Sequence, residues 1–155
     1  MSWNTTLAVL PRTVLAELPV DDPAPVPLDA ATSVAEQRLL AAQVGPHVVL
    51  VDAYGGVRVT PLAARLGRQV YVVVLGGTSD VYALQAEGPT TRLLVHTEGE
   101  VVEDRGEPLP VERLLAGAGD LEEAHLAMLE ALAEVPPGGL EGAAFVALAS
   151  DDLPL

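Results

Sequence analysis

Three apolar segments with strand-like composition, separated by short polar connections, occupy the centre of the sequence. They lie at 70–75, 81–86 and 91–97, and the two connections hold only five and four residues. Parallel strands need a crossover of a dozen or more residues, whereas antiparallel neighbours can be joined by a short turn. The centre is therefore predicted to be a three-stranded antiparallel meander. Its first segment, apolar on both faces, is predicted to be a central strand.

Further strands and helices are predicted around this meander. Strand patterns occupy 3–10, 47–52 and 143–149, and helix patterns occupy 33–44, 60–67, 111–116 and the residues after Asp120. This arrangement predicts the α+β class, with an antiparallel or mixed sheet of five or six strands and helices packed mainly on one face. A small α/β sheet is the alternative, because 33–52 and 60–75 each resemble a helix followed by a strand.

The chain length predicts one domain over 1–155, with two segments outside its core. Residues 19–27 contain four prolines, which exclude a helix and a central strand and favour an extended surface loop. The tail at 150–155 is predicted to be short and frayed.

The longest helix pattern begins after Asp120, a predicted N-cap. Apolar residues at helical spacing form a predicted buried stripe of Leu121, Ala124, Met128, Leu129 and Leu132, and the carboxylates of Glu122, Glu123 and Glu130 are predicted to face water. Glu122 and His125 have the Glu-x-x-His spacing of di-iron ligands, but that site needs a second copy of the motif. A surface pair is therefore expected.

Charge limits the partners that this chain can bind. Acidic residues outnumber basic ones 22 to 8, all the basic residues are arginine, and the formal charge is −14. Nucleic acids and anionic membrane surfaces are therefore excluded as partners, because both attract basic proteins. A basic protein is the natural complement, and self-association stays open. The N-terminus has no basic region before an apolar stretch, which favours a cytoplasmic location.

The acidic residues are concentrated in one segment after the meander. Its members are Glu98, Glu100, Glu103, Asp104 and Glu107, opposed only by Arg105. One interpretation is a solvated hairpin or sheet edge that charge keeps from aggregating. The other is a docking face for a basic partner. These five residues are the predicted partner-binding site.

No residue pattern indicates catalysis, a cofactor or a metal ion. The chain has no cysteine, and its histidines, His47, His96 and His125, occur singly. The segment 76–79 lacks the lysine and spacing of a phosphate loop. Asp52 ends an apolar strand and could join Asp80 in a strand-end site. A small hydrolase or transferase using Asp52 is therefore the alternative function.

The segment 91–110 runs from an apolar strand through the acidic residues to Gly106-Glu107-Pro108-Leu109-Pro110. Together with the first strand, which contains Trp3, it resembles uncharacterised small domains common in actinobacteria. The resemblance implies that this motif closes a strand and leads into a helix, and it supplies no catalytic residues.

These observations predict a non-enzymatic, acidic protein-binding or assembly module of a bacterial cytoplasm. One version is an immunity or antitoxin-like protein that covers a basic toxin surface. The other is an accessory or structural subunit of a larger phage-like or defence complex.

Overall fold

Nine strands pair in a single antiparallel sheet in the computed structural model, which describes residues 3–33, 35–53 and 64–149. The strands are β1 (Asn4–Leu10), β2 (Val20–Val26), β3 (Leu40–Val44), β4 (His47–Asp52), β5 (Val70–Gly76), β6 (Val81–Glu87), β7 (Arg92–Thr97), β8 (Glu100–Gly106) and β9 (Phe145–Leu148). Their order across the sheet is β2-β9-β3-β4-β1-β5-β6-β7-β8. Among the described residues, α1 (Leu28–Ala31) and α2 (Leu121–Leu132) are α-helices, residues 64–66 are also helical, and 3-10 helices occupy Leu15–Glu17, Pro110–Leu115 and Gly139–Gly142.

The predicted meander is confirmed. Strand β5 pairs with β6, β6 pairs with β7, and each pair is antiparallel. On its other side β5 pairs with β1, so the strand predicted to be central has neighbours on both sides. The meander continues into β8, which is the last strand of the sheet.

The two faces of the sheet carry separate apolar cores. The larger core contains Leu7, Val73 and Leu84, and α2 packs against it together with residues from Pro110–Leu115. The smaller core lies on the opposite face around Leu10 and Leu50. Alternate residues of one strand belong to opposite cores, as the two-residue period of a strand requires.

The predicted count of five or six strands is wrong, and the helix predicted at 33–44 accounts for part of the error. Residues Leu40–Val44 form β3 instead, and Leu40, Ala41 and Ala42 are fully buried. Gly45, with φ of 56°, and Pro46 connect β3 to β4 as a two-residue hairpin. A positive φ at such a turn favours glycine, so Gly45 closes a hairpin rather than a helix.

The proline-rich segment is also a strand rather than a loop. Residues Val20–Val26 form β2, whose pairing with β9 shifts register twice. Five of its seven residues are exposed. Proline is tolerated at a sheet edge because the outward N–H needs no strand partner, so β2 is consistent with its composition.

Helix α2 begins as predicted at the N-cap Asp120, whose Oδ1 accepts hydrogen bonds from the backbone N–H groups of Glu122 and Glu123 at 2.8 and 3.3 Å. The buried part of its predicted stripe is narrower than expected. Ala124, Met128 and Leu129 are buried, whereas Leu121 and Leu132 are half-buried.

Two of the carboxylates predicted to face water on α2 do not do so. Glu130 is only 9% exposed, and its Oε2 accepts a hydrogen bond from Gly138 N at 2.7 Å. Glu122 is half-buried, and its Oε2 accepts from Trp3 N at 3.1 Å. Glu122 thereby connects the start of the first strand to the helix, and Glu130 holds the turn that follows the helix.

The turn expected at 54–56, most of the helix expected at 60–67 and the tail at 150–155 lie outside the described residues.

Candidate partner-binding site

Strand β8 presents the predicted acidic site at the edge of the sheet. All seven of its residues are exposed, and β7 is its only strand partner among the described residues. Val101 and Val102 are 53% and 57% exposed, which is unusual for large apolar side chains on a strand. The outer side of β8 therefore offers backbone hydrogen-bonding groups, and the strand also carries two exposed valine side chains.

The turn before β8 fixes the direction of this edge. Glu98 and Gly99 have φ values of 52° and 81°, and two consecutive residues with positive φ are characteristic of a tight β-hairpin. Glu98 N also donates a hydrogen bond to Asp80 O at 2.9 Å, in the loop between β5 and β6. The side chain of Glu98 is exposed at the end of the hairpin.

The acidic residues of β8 divide between the two faces of the sheet. Glu100 and Glu103 pair with Thr97 and Val95, and Asp104 pairs with Leu94. A register shift near Val102 keeps Glu100 and Glu103 on one face, opposite the face that α2 covers. Asp104 lies on the α2 face.

Asp104 belongs to a buried network around Arg92. The side chain of Arg92 is 2% exposed, and its Nε and Nη2 donate to Glu112 at 2.8 and 2.7 Å. Its Nη1 forms an ion pair with Asp104 and donates to the carbonyl oxygens of Arg105 and Gly106. Hydrogen bonding to Glu112 raises the pKa of Arg92 against the opposing effect of burial, so Arg92 stays charged.

The Arg92 network gives Asp104 a structural role that the other predicted site residues do not share. Asp104 balances a buried charge, whereas Glu98, Glu100 and Glu107 are exposed and form no ion pair among the described residues. Glu103 forms an ion pair at 3.3 Å with Arg105, whose side chain is 76% exposed. The carboxylates available to a partner are therefore Glu98, Glu100, Glu103 and Glu107.

The alternative site at Asp52 is not assembled by the described residues. Asp52 is 1% exposed at the end of β4, whereas Asp80 is exposed at the start of β6. Strands β1 and β5 lie between β4 and β6, so three strand spacings of about 4.8 Å separate the backbones of the two strands by roughly 14 Å. His47 lies at the opposite end of β4 from Asp52.

The expected surface pair of Glu122 and His125 is wrong, because His125 is fully buried between α2 and the sheet. Its Nδ1–H donates to Leu121 O at 2.7 Å, and its ring lies 5.7 Å from that of His96 and 5.5 Å from that of Tyr82. Within the described parts of the chain, neither His125 Nε2 nor His96 Nδ1 has a hydrogen-bond partner. No described group of three or more acidic, histidine or cysteine side chains is placed to hold a metal ion.

Acidification is expected to destabilise the protein through His125. Burial lowers the pKa of His125, the neighbouring His96 lowers it further, and the hydrogen bond to Leu121 only partly offsets both effects. The unfolded chain then binds the proton more readily, so the free energy of unfolding should fall as the pH drops below about 6.5 towards the folded pKa. The largest slope from one group is about 1.4 kcal/mol per pH unit.

Urea unfolding of the parent and of His125→Phe between pH 7.5 and pH 5 tests this expectation. Phenylalanine keeps an aromatic ring in the site but cannot take up a proton. The variant should lose less stability than the parent across this range. Equal losses in the two proteins would show that His125 does not carry the pH dependence.

A search against protein-family models, curated proteins and solved structures finds no match to this chain. None of the helices in the described parts of the chain is long and apolar enough to cross a membrane. The functional interpretation of the candidate site therefore rests on its geometry and charge.

Proposed function

We propose that this chain is a non-enzymatic protein-binding module that recognises a basic partner through the outer edge of β8. An extended segment of the partner would pair with β8 as a further strand, with hydrogen bonds to its backbone. The observation that supports this proposal is an edge strand whose seven residues are all exposed, two valines among them.

The charge of the chain selects the partner for this edge. Glu98, Glu100 and Glu103 lie at or next to the edge, on a molecule with a formal charge of −14. A second copy of this chain would bring equal charges together, which is unfavourable, whereas lysine and arginine side chains would be attracted. Charged residues on an edge strand also prevent it from pairing with other strands unselectively. The same carboxylates can therefore repel a second copy of this chain and attract a basic segment.

Two biological settings fit a module of this kind in a bacterial cytoplasm. An immunity or antitoxin-like protein would use the acidic edge to cover a basic toxin surface. An accessory or structural subunit of a phage-like or defence complex would use the same edge to join a neighbouring subunit. Both settings require a basic protein that binds β8, so one set of variants tests both.

The double variant Glu100→Gln/Glu103→Gln is expected to bind a basic partner more slowly than the parent, by about tenfold at low salt. It removes two exposed charges and leaves Asp104 with Arg92. The control, Asp21→Asn, removes an exposed charge from β2, which lies at the opposite edge of the sheet from β8. Stability should change by less than about 0.5 kcal/mol in both proteins.

Affinity capture at physiological salt with the parent, the double variant and the control provides the partner, and surface plasmon resonance then gives association rates at several salt concentrations. The proposal requires the double variant alone to lose association rate and salt dependence, and hydrogen exchange in β8 to slow in the complex. Equal binding by the double variant and the parent would contradict it, as would the absence of any basic partner.

A further inference from the structure

A groove away from the β8 edge runs between α1, α2 and the 3-10 helix at Gly139–Gly142. Its volume is about 370 Å³, within the range of about 300–1,000 Å³ that is typical of ligand sites. Its apolar lining is Trp3, Leu28, Leu126, Ala127, Pro137 and Leu140. Leu28 and Leu140 are buried, so the groove has a firm apolar base.

Helix α2 supplies one wall of this groove through residues spaced three and four apart. Glu123, Leu126, Ala127 and Glu130 follow this spacing and line the groove. They form a stripe distinct from the one that packs on the sheet, where Met128 and Leu129 are fully buried. Helix α2 therefore packs one apolar stripe on the sheet and presents Leu126 and Ala127 to the groove.

The charge around the groove has one sign. Glu123, Glu130 and Glu141 are the ionisable residues in its lining. A neighbouring cavity of about 310 Å³ shares Leu28 and Glu141 with it and adds Asp29. Among the described residues, every charged group around this apolar groove is a carboxylate. The groove is therefore complementary to a molecule that is both apolar and cationic.

Glu130 is the strongest indication of a cationic ligand. The residue is 9% exposed, and the only hydrogen bond of its carboxylate among the described residues is the one that Oε2 accepts from Gly138 N. No described arginine or histidine forms an ion pair with it. A buried carboxylate without a cation is unfavourable, and a positive group in the groove would compensate it.

We propose that this groove binds an amphipathic basic segment of a partner protein. Apolar side chains of the segment would contact Leu126, Ala127 and Leu140, and a lysine or arginine would reach the carboxylate of Glu130. Helical segments bind such grooves through apolar side chains about one turn apart. The residues of α2 that line the groove are three and four positions apart and therefore have the same spacing. This site does not depend on β8, although both sites select a basic partner.

The sole tryptophan of the chain lines the groove, so its fluorescence reports binding directly. The probes are three short synthetic helical peptides without tryptophan: one of leucine and lysine, one of leucine and glutamate, and one of serine and lysine. Only the leucine–lysine peptide should shift the emission of Trp3 in a saturable way. Equal binding of the serine–lysine or the leucine–glutamate peptide would overturn the proposal.

Three variants locate the bound peptide. Glu130→Gln keeps an acceptor for Gly138 N but removes the charge, and it should weaken binding about tenfold. Leu126→Ser acts on a half-buried residue and should weaken binding similarly, which keeps the test valid if Glu130→Gln unfolds. Asp21→Asn, the control for non-specific attraction, removes an exposed charge from β2 and should leave the affinity unchanged, and a loss equal to that of Glu130→Gln would overturn the proposal.

The double variant Glu100→Gln/Glu103→Gln separates this inference from the proposed function. It should bind the leucine–lysine peptide as tightly as the parent does, because the peptide occupies the groove. Weaker binding would place the peptide on β8, which would overturn the groove site and leave the proposed function standing. If the double variant instead bound both the peptide and the basic partner as the parent does, the groove site would stand and the proposed function of β8 would be contradicted.

Discussion

Replacement of Glu112 by glutamine is expected to lower the free energy of unfolding at pH 7 by about 3 kcal/mol, because it leaves the charge of Arg92 poorly compensated. Arg92 is almost fully buried, and Glu112 provides two of its hydrogen bonds. Glutamine preserves the shape of the side chain, so a loss of packing would not explain the effect. Urea unfolding of the parent and the variant measures the difference.

Asp104→Asn is the matched control for this variant. Its carboxylate also contacts Arg92, but the side chain of Asp104 is 60% exposed, whereas that of Glu112 is 11% exposed. Water screens an exposed charge, so the loss of stability should stay below about 1 kcal/mol. Equal losses in the two variants would show that burial does not distinguish the two carboxylates.

Acid should reproduce the effect of Glu112→Gln in the parent. Burial alone would raise the pKa of Glu112, but hydrogen bonds from Arg92 and from Leu109 N outweigh it and lower the pKa. A lowered folded pKa stabilises the protein above the unfolded value of about 4.3, and this contribution is lost as the pH falls through the folded pKa. The variant should therefore lose less stability than the parent below about pH 4.5.

The Arg92 network also bears on the proposed binding edge. It fastens the end of β8 through the carbonyl oxygens of Arg105 and Gly106, while Glu98 N holds the start of the hairpin. An edge held at both ends is already extended, so a partner strand would not have to order it. Pre-ordering of this kind lowers the entropic cost of association.

The sequence predicted the elements whose signal is local. The meander of β5, β6 and β7 combines apolar strands with connections too short for any crossover, so few other arrangements were open to it. Asp120 likewise predicted the start of α2, because an N-cap acts on the residues that follow it. A solvated sheet edge, which β8 forms, was one of the two interpretations of the acidic segment.

The errors arose where distant parts of the chain decide the outcome. Residues 40–44 suit a helix by composition, and only the neighbours β4 and β9 make them a strand. Glu103 and Asp104 are adjacent acids, but their roles differ because β8 pairs with β7 in a register that places Asp104 beside Arg92. The pairing register of β8 with β7 could not be read from the acidic run itself.

Leu129→Ala is expected to lower the free energy of unfolding by about 3–4 kcal/mol, whereas Leu132→Ala should lower it by only about 1 kcal/mol. The two leucines lie on the same helix and lose the same atoms. Leu129 is fully buried in the larger core, but Leu132 is half-buried at its margin. The cavity left behind is therefore enclosed in the first variant and open to water in the second.

Urea unfolding of the parent and both variants measures these losses. The free energy of unfolding should fall with urea concentration at the same slope in all three proteins, since a changed slope would indicate an altered unfolded state. Equal losses would mean that α2 is rotated about its axis towards the stripe that the sequence predicted, with Leu132 on the sheet. That rotation would also move Leu126, Ala127 and Glu130 out of the groove. The ratio of the two losses therefore tests both the packing of α2 and the geometry on which the groove proposal depends.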